Sequence, residues 1–251
     1  MGLAPIPDFL REIKTFLRRS EWKAFPDVVI HADESLVKKH PMYEAAKAGD
    51  TDAAESLVLE MSPIGTLDKI SEVLSGTTPH LLAVHALETS GVNAIPQAFA
   101  KILSRMLNLP VATGVIQINR VTHTGASGYH RLAFPALFGG EVREKTYFLV
   151  DDFIGQGGTL MNLKGFVESQ GAQVIGATVL TGKAYSAKLK LEDETLKALR
   201  MKHGTELEQW WNDAFGYGFE RLTESEARYL TRADDADAVS ERIVAAGAKR
   251  D

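Results

Sequence analysis

The sequence predicts an α/β fold in which an open, mostly parallel sheet is flanked by helices, with an accessory helical lobe formed by both ends of the chain. Between residues 81 and 182, short apolar runs alternate with stretches at helical spacing, the rhythm of an open α/β sheet. Residues 1–80 and 183–251 are mostly helical in pattern, and no low-complexity linker separates them from that core. We therefore expect a single domain over residues 1–251, with its core at 81–182.

The amino-terminal 80 residues carry a helical pattern that one short strand interrupts. Apolar residues recur at helical spacing from Phe9 to Leu17. The run at 26–31 is short and apolar and predicts a strand, and Asp50 stands where the N-cap of a further amphipathic helix is expected. At the other end of the chain, Thr223 and Glu226 have the spacing of a capping box and predict the start of another helix.

The core elements follow in the order strand, helix, strand, strand, helix, strand. The apolar runs predict strands at 81–86, 110–118, 146–151 and 173–181, and the periodic stretches predict helices at 95–107 and 159–170. A glycine-rich polar segment lies between the second and third of these strands. Gly171 follows the second helix, where a glycine commonly ends a helix.

Composition narrows the class of protein. The 251 residues are 45% hydrophobic and 24% charged, which is typical of a globular chain and excludes a disordered or fibrous one. The net charge of -5 lacks the basic excess of a sequence-blind nucleic-acid binder, so no nucleic-acid partner is expected. The chain has no cysteine, which suits a reducing compartment, and no apolar run long enough to span a bilayer, so we expect a cytoplasmic protein without a membrane partner.

The segment 147–159 reads YFLVDDFIGQGGT and contains the residues predicted to bind a ligand. An apolar strand delivers Asp151 and Asp152 at its carboxyl end, where ligands of α/β sheets bind. A glycine-rich turn then opens a helix, an arrangement whose backbone amides favour a phosphate. Neither a GxGxxG dinucleotide fingerprint nor a P-loop fits the sequence. The carboxylates beside this turn suit hydroxyl groups or a hydrated metal ion, so the predicted ligand carries a phosphate next to a polyol.

This segment resembles the phosphoribosyl-pyrophosphate signature of the type I phosphoribosyltransferases, a hydrophobic strand followed by two acidic residues and a Thr-Gly-Gly-Thr-like turn. The resemblance implies that Asp151 and Asp152 meet the ribose 2′- and 3′-hydroxyls. It also implies a type I phosphoribosyltransferase-like sheet, with the 5′-phosphate bound by Gly155, Gln156, Gly157, Gly158 and Thr159. Gln156 stands where the family usually has Thr or Ser, so one hydroxyl contact is lost while the backbone donors remain.

Two further regions take roles from the resemblance. The loop at 87–93 would bind pyrophosphate through Glu88, Thr89, Ser90, Gly91 and Asn93, although it lacks the usual basic or paired-glycine character. A loop at 119–131 would close over the reacting centre, with Arg120, His123, His130 and Arg131 as catalytic residues. Cations there would stabilise charge on the leaving pyrophosphate, and either histidine would move a proton at the attacking nitrogen.

The resemblance implies a glycosyltransferase, specifically a Mg²⁺-dependent phosphoribosyltransferase. It would transfer the 5-phosphoribosyl group to a nitrogen of a nucleobase-like acceptor and release pyrophosphate. Mg²⁺ would be held by substrate oxygens, with no metal site formed by the protein alone. Because family members are often dimers, the resemblance is compatible with a homodimer. Two alternatives stay open: a non-catalytic sensor of the same ligand, and a phosphohydrolase of a ribose phosphate. The sequence does not identify the acceptor.

Overall fold

The computed structural model describes residues 2–88, 91–121 and 127–248. The described residues form eleven α-helices, namely α1 (Asp8–Phe16), α2 (Glu34–Lys38), α3 (Tyr43–Lys47), α4 (Thr51–Met61), α5 (Gly65–Leu74), α6 (Ile95–Leu107), α7 (Gly128–Ala133), α8 (Gly158–Ser169), α9 (Asp193–Phe215), α10 (Glu224–Thr231) and α11 (Ala236–Gly247). They also form eight strands, namely β1 (Val29–Ala32), β2 (His80–Ala83), β3 (Leu87–Glu88), β4 (Gly91–Val92), β5 (Val115–Gln117), β6 (Phe138–Gly140), β7 (Thr146–Ile154) and β8 (Gln173–Gly182). Two short 3₁₀ helices complete this part of the chain.

The central sheet has four strands in the order β1–β8–β7–β2, and all three neighbouring pairs are parallel. Because parallel strands point the same way, their carboxyl ends meet at one edge of the sheet. That edge carries Asp151 and Asp152 near the end of β7 and is where a ligand site is expected. The predicted fold class, an open and mostly parallel sheet flanked by helices, is confirmed.

Side chains of the central strands alternate between two buried clusters, one on each face of the sheet. Phe148 and Val150 of β7 pack on one face with residues of α4, α5 and α6. Tyr147 and Leu149 pack on the other face with residues of α8, among them Leu163. The alternation follows from the two-residue period of a strand, and burial on both faces explains why β7 reads as a continuous apolar run.

A third buried cluster joins the two ends of the chain. Residues of α1 pack there with α9, α10 and α11, around the fully buried rings of Trp211, Phe215 and Phe219. The strand predicted at 26–31 is β1, and it pairs with β8 in the central sheet. The amino-terminal segment thus contributes both to the sheet and to the helical lobe. Across the described ranges, none of the helices combines the length and apolar character needed to cross a bilayer.

The element predictions close to the acid pair are confirmed. Helix α6 spans 95–107 as predicted, and α8 begins one residue earlier than predicted, at Gly158. The strand predicted at 146–151 is confirmed and continues through Ile154, so both aspartates lie within it. The capping box is present: the Thr223 side chain accepts from the Glu226 N–H, and the Glu226 carboxylate accepts from the Thr223 N–H.

Two predictions are wrong, one for the second core strand and one for the segment that follows it. The run at 110–118 is not one strand of the central sheet, because Gly114, at φ +102°, turns the chain after Val111 has bridged to β2. Within this run, only β5 forms a regular strand, and it pairs antiparallel with β6. The segment 119–131 is not all loop either. Ser127 accepts a hydrogen bond from the His130 N–H and so caps α7.

Candidate functional site

A cleft with a cavity volume of about 140 Å³ opens at the carboxyl edge of the sheet. It lies against the end of β7, the start of α8, α7, and the amino-terminal helices α2 and α3. Of the predicted site residues, the cleft brings together Asn93, Arg131, Asp151, Asp152, Gly155, Gln156, Gly157, Gly158 and Thr159. The acid pair and the glycine-rich turn therefore share one cavity.

The two aspartates have unlike surroundings. Asp151 is only 5% exposed, and its carboxylate accepts a hydrogen bond from the Asp152 N–H at 2.8 Å. Burial and the neighbouring Asp152 carboxylate raise the pKa of Asp151 well above its usual range. Burial also opposes ionisation of Asp152, but the Lys47 ammonium at 3.1 Å and the Asn93 side chain outweigh it, so the pKa of Asp152 is lowered. Such divergent acids in one cleft are typical of a functional site.

The turn between β7 and α8 presents backbone donors to the cleft. Gly157 is the residue before the helix and adopts φ +82°, a conformation that favours glycine. No side chain caps this helix, and the first amides of a helix have no acceptor within it. These N–H groups, together with the positive end of the helix dipole, suit a phosphate. The Arg131 guanidinium lies so close to Gly155 that a Cβ there would collide with it.

Residues from both ends of the chain stabilise the glycine-rich turn. Arg19 donates to the Glu226 carboxylate through two nitrogens, at 2.6 and 2.8 Å, and their side chains are only 2% and 3% exposed. Arg19 Nε also donates to Asn162 of α8 at 2.8 Å. The Thr223 hydroxyl donates to the Gln156 carbonyl at 2.6 Å. We call these contacts the terminal clamp. Of these contacts, the sequence predicted only the capping box of Thr223 and Glu226, and no pattern in it indicated a role for Arg19.

The predicted catalytic residues of the 119–131 segment separate in the structure. Arg131 lines the cleft, and burial lowers its pKa in spite of the nearby Glu34 carboxylate. The His130 ring packs against the Phe134 ring, with centroids 4.8 Å apart, outside the cleft lining. Successive residues of a helix point about 100° apart, which is why α7 turns only one of this pair to the cleft. Arg120 is exposed and is not part of the lining, although the next residue, Val121, is, and His123 lies outside the described residues.

Asn93, in the loop predicted to bind pyrophosphate, contacts the acid pair. Asn93 is almost fully buried: its side chain donates to Asp152, and its oxygen accepts from the Ile95 N–H at 3.2 Å, at the start of α6. Gly91 adopts φ +132° at the start of β4. Among the other predicted residues of this loop, Glu88 lies in β3, and Thr89 and Ser90 lie outside the described residues.

Two lysines of the amino-terminal segment were missed by the sequence analysis. Lys47 reaches Asp152 from the end of α3, and Lys38 of α2 lies over the Phe153 ring at 5.0 Å from its centroid. Lys38 also donates to Glu34 at 2.6 Å. Nothing in their local sequence distinguishes these lysines from solvated ones, since their position depends on packing between segments about a hundred residues apart.

Asp151 and Asp152 are the carboxylates that a divalent ion in the cleft would meet near the strand end. Within the described ranges, no three His, Asp or Glu side chains lie close enough together to hold a metal ion. Mg²⁺ commonly uses one or two carboxylates and takes its other ligands from substrate phosphates and water. The acid pair therefore fits a substrate-held ion. The prediction that the protein alone forms no metal site stays a prediction.

Gly157→Ala is expected to lower affinity for ribose 5-phosphate at least about tenfold, because a displaced turn loses charge-assisted hydrogen bonds. A Cβ at this position would collide with the Leu189 side chain as well as strain the backbone. Gly171→Ala is the matched control, since Gly171 has φ +88° and nothing within 4 Å of its Cβ position. Calorimetric titration and thermal unfolding of both variants test this. Equal ligand affinity in the two variants would exclude a role for the turn.

The chain resembles known proteins in sequence over half of its length or more. A model of the phosphoribosyl transferase domain matches residues 90–218, about half of the chain. Protein TraN of Escherichia coli is 37% identical over 229 residues, which are 91% of this chain and 51% of TraN. An uncharacterised protein of Haemophilus influenzae is 37% identical over 151 residues, which are 59% of this chain and 34% of that protein. The chain thus spans about half the length, or less, of these curated relatives.

Among solved structures, an adenine phosphoribosyltransferase from Rhodothermus marinus is 14% identical, with a TM-score of 0.35, and the match covers 71% of this chain and 89% of that one. The family match at 90–218 includes the acid pair and the glycine-rich turn. The chain therefore belongs to the phosphoribosyl transferase domain family.

Proposed function

We propose that the protein is a Mg²⁺-dependent phosphoribosyltransferase that transfers the 5-phosphoribosyl group from phosphoribosyl pyrophosphate to a nitrogen of a nucleobase-like acceptor. The observation that carries this proposal is the position of the acid pair, the buried Asp151 and the partly buried Asp152, next to the glycine-rich turn in one cleft. Carboxylates accept hydrogen bonds from sugar hydroxyls, and the turn donates to a phosphate, so the two together fit a ribose 5-phosphate.

The charges of the cleft support a polyanionic ligand. Four basic side chains and three acidic ones line it, namely Arg19, Lys38, Lys47 and Arg131 against Asp151, Asp152 and Glu226. Phosphoribosyl pyrophosphate carries a phosphate at one end and a pyrophosphate at the other, so an excess of positive charge suits it.

In the proposed reaction, the acid pair orients the ribose and the turn anchors its 5′-phosphate. The acceptor nitrogen attacks C1 of the ribose, so a C1–N bond forms while the C1–O bond to pyrophosphate breaks. The electron pair leaves with the pyrophosphate, and the attacking nitrogen loses its proton to solvent. Arg131 would stabilise charge on the leaving oxygen, and an enclosed cleft would limit hydrolysis at C1. Mg²⁺, held by substrate oxygens beside Asp151 and Asp152, would neutralise part of the pyrophosphate charge.

One observation favours the second candidate, a sensor that binds the same ligand without turnover. The basic residues of the 119–131 segment argue for an enzyme, but His130 packs against Phe134, and Arg120 is not among the residues that line the cleft. A sensor needs no group that moves a proton at the attacking nitrogen. The assay below separates the two candidates.

The test incubates the full chain with phosphoribosyl pyrophosphate, Mg²⁺ and a panel of nitrogen bases, and measures both pyrophosphate release and loss of each base. We expect pyrophosphate release that depends on one base or one class of bases. Ligand binding without release under every base would support the sensor. Release of phosphate or pyrophosphate with no base present would support a phosphohydrolase. The homodimer and the cytoplasmic location stay predictions.

A further inference from the structure

Helix α3 of the amino-terminal segment packs directly on the loop predicted to bind pyrophosphate. The Ala94 N–H donates to the Ala46 carbonyl at 3.1 Å. A Cβ at Gly91 would come within 2.6 Å of the Ala48 carbonyl oxygen, so the glycine permits this close approach of two backbones. The contact fixes the end of α3, where Lys47 lies, beside the loop.

From this position the Lys47 side chain reaches the acid pair. Its ammonium donates to Asp152 Oδ2 at 3.1 Å, and the two side chains are 13% and 12% exposed. Both residues line the cleft. The ammonium thus contacts one of the carboxylates proposed to orient the ribose, and the helix that carries it ends against Gly91 of the loop at 87–93. The ammonium is a flexible, compact cation whose donors can turn from one oxygen to another.

The loop itself supplies no positive charge. Its sequence, LETSGVN, contains Glu88 as its one charged residue. A pyrophosphate bound there would need a cation from elsewhere, because burying several negative charges without compensation is strongly unfavourable. Lys47 is placed by α3 against this loop.

We propose that Lys47 is a substrate-binding residue that supplies the cation missing from the pyrophosphate loop. Without ligand it pairs with Asp152. When phosphoribosyl pyrophosphate binds, the ammonium turns to the pyrophosphate oxygens, and Asp152 becomes available to a ribose hydroxyl. The ammonium keeps an anionic partner in both states, and Asp152 exchanges the ammonium for a ribose hydroxyl while it keeps the hydrogen bond from Asn93. This inference rests on the proposed function. It assigns Lys47, which lies outside the family signature, to the site of the leaving pyrophosphate.

The experiment compares Lys47→Met and Lys47→Arg with the unchanged chain, by calorimetric titration against phosphoribosyl pyrophosphate and against ribose 5-phosphate, which lacks the pyrophosphate. We expect Lys47→Met to weaken binding of phosphoribosyl pyrophosphate about 10- to 100-fold, the range for losing a hydrogen bond to a charged group. Affinity for ribose 5-phosphate, which offers the ammonium no pyrophosphate, should not fall more than about threefold, because losing the ion pair leaves Asp152 available to a ribose hydroxyl. Lys47→Arg should retain most of the affinity. Lys39→Met, an exposed lysine of the same segment, is the matched control.

Two results would overturn the inference. One is unchanged affinity of Lys47→Met for phosphoribosyl pyrophosphate. The other is an equal loss for both ligands, which would mean that Lys47 acts through Asp152 alone. If Lys47→Met does not fold, as judged by circular dichroism, Lys47→Gln is titrated in its place with the same criteria. A failure of the unchanged chain to bind either ligand would instead contradict the proposed function, and the inference with it.

Discussion

Asp151→Asn and Asp152→Asn are each expected to lower kcat/KM for phosphoribosyl pyrophosphate about 10- to 150-fold while the fold stays intact, as for a lost hydrogen bond to a charged group. An amide has nearly the shape of the carboxylate but offers one acceptor oxygen and no charge. The two variants should differ in stability. Asp151 has a pKa above its unfolded value, so its ionised form destabilises the folded state and its removal costs little. Asp152→Asn removes the carboxylate that the partly buried Lys47 ammonium contacts, and this variant should therefore unfold at a lower temperature.

The measurements are initial rates with the acceptor identified by the base panel, and thermal unfolding of each variant. Asp68→Asn, an exposed position on α5, is the control and should match the unchanged chain in both. Full activity in both active-site variants would exclude the ribose assignment. Equal unfolding temperatures of the two variants would contradict the unlike surroundings of the two acids.

The second large effect is expected at the terminal clamp. Arg19→Met or Glu226→Gln should each destabilise the protein by about 3–5 kcal/mol, because each leaves a buried charge without its partner. For a chain of this size, that corresponds to a fall in Tm of about 6–20 °C. The phosphate-binding turn should loosen at the same time, since Thr223 and Asn162 depend on the same contacts. Affinity for ribose 5-phosphate should therefore fall in any variant that remains folded.

Arg143→Met is the control, because Arg143 pairs with Glu141 on the surface, where both side chains are more than half exposed. It should change Tm little, as is usual for exposed ion pairs. A double-mutant cycle combines Arg19→Met with Glu226→Met. The double variant should lose less stability than the sum of the two single losses, because removing both charges leaves neither unpaired. Additive losses, or Tm values as little changed as in the control, would contradict the clamp.

The elements around the acid pair could be predicted from the sequence alone because their signals are local. The run from Thr146 to Thr159 places a strand, two acids, a turn and a helix in one order, and each step depends on neighbouring residues. The bounds of α6 were equally accessible, since Pro96 favours its first turn and Asn108, at φ +53°, ends it.

The remainder depends on contacts that sequence spacing does not show. Lys47 lies 105 positions from Asp152, and Arg19 lies 207 positions from Glu226, so only the packed fold brings each pair together. The catalytic role expected for His130 came from the resemblance to the family and from the residues of a predicted loop at 119–131. The structure forms α7 there instead, and the helix directs His130 to Phe134 and Arg131 to the cleft. Composition does not define the direction of a side chain, whereas helix geometry does.

A crystal structure of the chain with phosphoribosyl pyrophosphate and Mg²⁺ tests the central claim most directly. We expect the 5′-phosphate on the backbone amides at the start of α8, and the ribose hydroxyls within hydrogen-bond distance of Asp151 and Asp152. A ligand bound with its phosphate and ribose away from residues 151–159 would contradict the account.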